Sequence, residues 1–173
     1  MNRSLSIFAG VVSIAAAFVL VAGAFVLSPQ IGNSAQTSAS ANIKPTAATQ
    51  DQPHRLAVQV NANDPAIMNL VLNNVNNATQ YYGELGQKVE IEVVAFGPGL
   101  HMLRDDTSPV KSRIKSMSET TPNVAFSACG NTRENMTRVE AKDIPLISQA
   151  KLVKSGVVRL MELQEHGWSY LRP

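Results

Sequence analysis

Residues Leu5 to Leu27 run for 23 positions without a charged side chain, and this run divides the chain into two different materials. At about 1.5 Å per residue, a helix of that length spans a hydrocarbon core of roughly 30 Å. Arg3 and the α-amino group put positive charge ahead of it. That holds the N-terminus in the cytoplasm and sends the rest of the chain across the membrane. Two readings stay open. One is an uncleaved signal anchor over residues 1–27. The other is a cleaved signal peptide, for which Ala22-Gly23-Ala24 and Ala39-Ser40-Ala41 have the small-x-small form of a cleavage site. The run is long for the apolar core of a signal peptide, which favours the anchor, and it is too long and too free of a polar face for a buried core helix. Both readings export the remainder, tethered to the membrane facing the periplasm or released into it.

Residues 28–53 are rich in Ser, Ala, Thr, Gln and Asn, with prolines at 29, 45 and 53. They hold too few apolar side chains to offset the entropy of ordering, so a flexible linker is expected. Residues 54–173 are then the folded domain, long enough to bury a core. With 15 Lys and Arg against 13 Asp and Glu in the whole chain, no clustered basic excess suits the domain to nucleic acid. At 5% aromatic residues, stacking platforms for bases are not expected either. The single cysteine, Cys129, excludes an intrachain disulfide and a multi-cysteine zinc site.

Along the domain, short apolar runs alternate with helical periods. Arg55 to Asn61 reads as a strand. Asp64 and Pro65 read as cap and first residue of a helix with Ile67, Leu70, Val71, Val75, Ala78 and Tyr82 on its apolar side. Gly83 and Gly86 should stop it. Val89 to Phe96 is a second strand, broken by the turn Gly97-Pro98-Gly99, with a short helix over Leu100 to Leu103. Ser108-Pro109 should start the next helix and Thr121-Pro122 end it. Val124 to Cys129 is a third strand, after which Thr132 can cap a helix running to about Val139. A fourth strand lies near Ala150 to Val153. Ser155-Gly156 opens a last helix, His166-Gly167 closes it, and Trp168 to Leu171 is a short fifth strand.

This rhythm predicts an α/β fold: a three-layer α/β/α sandwich around a mostly parallel five-stranded sheet covered on both faces. In such sheets ligands collect beyond the carboxyl ends of the strands. Those ends supply Asn61, Asn63 and Asp64, then Gly97, Gly99 and His101, then Cys129, Gly130, Asn131 and Thr132. Cys129 comes just before a helix start, where free N–H groups and the helix dipole favour a thiolate. The plain alternative is a cysteine acting as a small buried hydrophobe. His101, Met102 and Cys129 form too loose a set to be read as a metal site, and no cofactor-binding motif is present. Asp105 and Asp106 read as surface charge. The Asn73-Asn74-Val75-Asn76-Asn77 stretch reads as a solvated helix face or, more pointedly, a subunit contact.

The strand His54 to Val60, the stretch Leu72 to Asn77, Val89 to Leu100, Phe126 to Thr132, and the tail Gly156 to Gln164 with Gly167 to Pro173 resemble, in order, the DsrE/DsrF (YchN-like) sulfur-relay family. The resemblance implies an α/β/α sandwich assembled as a trimer or hexamer. It also implies that Cys129 stands where relay members carry a persulfide-accepting cysteine, which receives sulfur from a donor protein and passes it to an acceptor. Gly130, Asn131, Thr132 and His101 would then support it. The competing expectation is a non-catalytic oligomeric binding or scaffold module tethered to the membrane.

Overall fold

The computed structural model describes residues 52–173. The anchor or signal segment, and the linker up to residue 51, lie outside the described residues. Among the described residues no helix is long and apolar enough to cross a membrane.

Five strands and four α-helices alternate: β1 (His54–Val60), α1 (Pro65–Glu84), β2 (Val89–Ala95), α2 (Lys111–Thr120), β3 (Val124–Cys129), α3 (Gly130–Glu140), β4 (Ala150–Val153), α4 (Gly156–Glu165) and β5 (Ser169–Leu171), with a 3-10 helix over Gly97–Leu103. The strands form one sheet in the order β4-β3-β2-β1-β5, and every neighbouring pair is parallel. The chain therefore steps from β1 to β4 in one direction and returns across the whole sheet to β5. With right-handed crossovers, the outward helices fall on one face and the return helix on the other.

The packing follows that division. Met68, Val71, Leu72 and Val75 of α1, Leu100 and Leu103 of the 3-10 helix and Ile114 of α2 are buried against Val58, Val60, Ile91, Val93 and Phe126 of the sheet. Each such side chain contributes about 1.5–3 kcal/mol of burial. On the opposite face a small cluster joins Leu160 and Leu163 of α4 to Ala57 and Val94. Helices thus lie on both faces, as expected, but the three layers are unequal. A single ten-residue helix cannot span five strands. Lys151 stays exposed on that side, and Ala125 and Val153 stay partly exposed.

Local sequence accounts for most boundaries. The Asp64 carboxylate accepts from the Ala66 N–H at 2.7 Å and Pro65 opens α1. The helix runs through Gly83, however, and ends only before Gly86, whose φ of +66° suits a residue without Cβ. The segment after β2 is no simple turn: Gly97–Leu103 winds as one 3-10 helix. It passes so close to β1 that a Cβ at Gly99 would sit 2.3 Å from the Val60 carbonyl oxygen. α2 starts at Lys111 with Val110 in the cap position; the Ser108 hydroxyl donates to the Met102 carbonyl at 2.6 Å and accepts from the Val110 N–H at 3.4 Å, ahead of the helix. α3 starts at Gly130 with Cys129 in the cap position, in place of the expected cap Thr132.

Candidate functional site

α3 leaves β3 toward the α1–α2 face, where its Met136 packs on the main core. α4 leaves the adjacent strand β4 toward the other face. β3 and β4 are therefore neighbouring parallel strands whose chains depart in opposite directions. This is the topological switch point, at which open α/β sheets form their crevice. Cys129 is the last residue of β3, paired in register with Val153, the last of β4.

The starts of both departing helices lie at this cysteine. Gly130 fits closely against β4, since a Cβ there would lie 3.1 Å from the Val153 carbonyl oxygen. The Asn131 N–H donates to the Lys154 carbonyl at 3.1 Å. Cys129 is only 5% exposed. Burial pushes its thiol pKa up. The Thr132 hydroxyl and the backbone N–H groups of Gly156, Thr132 and Asn131 outweigh that, and leave the pKa below the ordinary cysteine value. Because the Asn131 N–H is already engaged, and the thiol closes no capping hydrogen bond of its own, Thr132 and Gly156 carry most of this bias. Thr132 is held in turn by the second strand's exit: its hydroxyl oxygen accepts from the Gly97 N–H at 3.0 Å. With that lone pair occupied, its proton is free to turn to the sulfur.

Two cavities are lined by residues close to Cys129 in the chain, Asn131 being common to both, while Cys129 itself lines neither. One, of about 450 Å³, is lined by Asn63, Gly97, His101, Asn131 and Thr132 among others. It gathers half of the residues expected from the strand ends. Gly99 is buried against β1 instead, with the Asn61 backbone beside it. His101 is hydrogen-bonded through Nδ1 to the Thr107 hydroxyl at 2.8 Å, and no hydrogen bond links it to Cys129. Burial and the nearby Arg104 lower its pKa below 6.5, against the opposing pull of Glu140 and Asp106. The ring is neutral at neutral pH. Met102 turns into the main core, so His101, Met102 and Cys129 are not a ligand set.

The larger cavity, of about 840 Å³, lies on the α4 side over the open half of the sheet. Its floor holds a polar cluster that sequence reasoning missed. Glu92 in β2, 5% exposed, accepts from Ser127 Oγ at 2.6 Å and from Arg159 Nε and a terminal guanidinium nitrogen at 2.8 Å each. Burial raises the Glu92 pKa, but Arg159 and Ser127 reverse that and hold it below 4.5. In the sequence Glu92 follows Glu90 in a clean alternation, which reads as two solvent-facing positions. A lone serine inside Val124 to Cys129 was the available signal.

Arg104 was missed as well. It is 1% exposed and makes paired bonds to Asp106 and Glu140. Asp106 is therefore no free surface charge, and its pKa is driven far below the usual range by Arg104. The asparagine stretch is partly tied down within the chain, since Asn69 and Asn73 both accept from Arg113 of α2.

No protein-family model matches the chain, and a search of curated proteins finds no match either. Among solved structures the chain is similar to MTH1491, a protein of unknown function from Methanobacterium thermoautotrophicum. The two share 30% identity with a TM-score of 0.59, over 69% of this chain and 99% of that one. At that identity, across nearly all of MTH1491, this chain belongs to the same protein family.

Proposed function

We propose that residues 54–173 form a sulfane-sulfur carrier of the DsrE/DsrF type, working through Cys129. In this reading the domain is held outside the cytoplasm by the Leu5–Leu27 segment and assembles as a trimer or hexamer. The observation that carries the proposal is the favoured thiolate of Cys129 at the switch point, where the starts of α3 and α4 meet. The thiolate attacks the outer sulfur of a donor persulfide. A new S–S bond forms on Cys129, the donor's S–S bond breaks, and the donor sulfur leaves as a thiolate with the electron pair. An acceptor thiolate then takes the outer sulfur and Cys129 leaves as the thiolate. Both steps are exchanges without net oxidation. The donors that favour the thiolate serve it as nucleophile and as leaving group. With no second cysteine in the chain, the persulfide cannot collapse into an intrachain disulfide and waits for an external thiol.

The second reading is a non-catalytic binding or scaffold module, and the burial of Cys129 favours it. The two separate on one experiment: intact mass of the full chain after polysulfide treatment. The carrier gains the mass of one sulfur atom, and Cys129→Ser gains nothing. A wild-type chain of unchanged mass contradicts the carrier and leaves the scaffold.

A further inference from the structure

The larger cavity has a charge imbalance that the rest of the fold does not resolve. Five charged side chains line it. Glu92 is saturated by Arg159 and Ser127, and Arg159 also reaches Glu162 at 3.3 Å. This leaves Lys151 and Lys154, both exposed, and neither makes an ion pair among the described residues. Ala125, Leu152, Val153 and Val158 supply the apolar part of the lining. A volume of about 840 Å³ falls within the range of small-molecule sites, which combine an apolar wall with a few placed polar groups.

We propose that this cavity binds a small organic anion, its charged group between Lys151 and Lys154 and its apolar body over Ala125 and Val158. The floor explains the polarity of the choice. Glu92 is hydrogen-bonded by Arg159 and Ser127, and its charge is offset by Arg159 and the nearby Lys151, so it offers an incoming cation no open partner. Arg159 is held by two carboxylates, so among the described residues the lysines are the cations of this wall free to meet a ligand charge. Binding is independent of whether Cys129 carries sulfur, because none of these groups acts through the thiol.

Calorimetric titration of the full chain in detergent micelles, with micelles alone as blank, tests this using naphthalene-2-sulfonate and its neutral analogue 2-naphthalenemethanol. The sulfonate should bind, and the alcohol should bind about tenfold more weakly or not at all, as expected for a charge-assisted contact. Lys151→Met/Lys154→Met should weaken the sulfonate by about tenfold or more. These lysines are exposed, so that variant folds. Ala125→Leu, which fills the apolar part of the cavity without changing charge, should abolish binding. Absence of sulfonate binding, equal affinity for the two probes, or binding that survives either variant overturns the proposal. The heat of binding reports nothing on sulfur transfer, so failure here and failure of the carrier reading are separate results.

Discussion

Cys129 was legible as a strand-end thiol before a helix, from Gly130-Asn131-Thr132 alone. Its second source of stabilisation was not legible. The Gly156 N–H comes from α4, far along the chain, and only the pairing of β3 with β4 brings it to the sulfur. Thr132 also has a role other than the one its sequence position suggests. It does not cap α3. It stands one turn inside, at the position whose side chain reaches back to the cap residue, and its oxygen is fixed by the Gly97 N–H. A hydrogen bond to a charged group is worth about 1.5–3 kcal/mol. Thr132→Val should therefore slow alkylation of Cys129 at neutral pH by about tenfold or more, while Thr132→Ser keeps the hydroxyl and the wild-type rate. Alkylation rates followed by mass spectrometry check this; equal rates in the valine and serine variants would deny Thr132 any part in holding the thiolate.

At the scale of elements, the strands were readable because apolar runs bounded by Gly, Pro and Asn leave few alternatives. The errors fall at starts and stops. Ser108 and Thr132 both look like caps, but Ser108 bridges the Met102 carbonyl and the Val110 N–H ahead of α2, and Thr132 sits inside α3 with its oxygen on the Gly97 N–H. Glu92 shows the limit of alternation: it lies on the face that α4 covers, and its partner Arg159 is 67 positions away. The pair locks α4 onto the sheet. The folded pKa of Glu92 is lowered, so its stabilisation is complete above the ordinary value of 4.5 and is lost as pH falls through the lower folded value. Glu92→Gln should cost about 2–3 kcal/mol at neutral pH, less than a fully buried pair because the Arg159 guanidinium reaches water. The gap between variant and wild type should close as pH falls well below 4.5. Urea unfolding at the two pH values measures it, and a gap independent of pH would show that the charge of Glu92 is not what α4 depends on.

For the molecule as a whole, element order predicted a parallel sheet but not its strand order. The order β4-β3-β2-β1-β5 is what sets α1, α2, α3 and the 3-10 helix on one face and α4 on the other, and what puts the switch point between β3 and β4. No residue in the sequence announces either consequence. The thinly covered face also leaves apolar side chains exposed on α4, with Val157 and Met161 each 53% accessible. Such a patch, beside an open sheet, suits the proposed self-association. Light scattering from the full chain in detergent should give the mass of a trimer or hexamer after subtraction of the micelle, and a monomer mass would contradict the assembly.

The proposed sulfur transfer requires that Cys129, although buried, be held as a thiolate that a sulfur donor can still reach. The most direct test is the pH dependence of iodoacetamide alkylation in the native full chain, whose single cysteine removes any ambiguity of site. A carrier predicts rapid labelling of the folded protein with a midpoint below the ordinary cysteine value of about 8.5. Failure to label until the chain is denatured would contradict it, because a thiolate that no partner can reach cannot pass on sulfur.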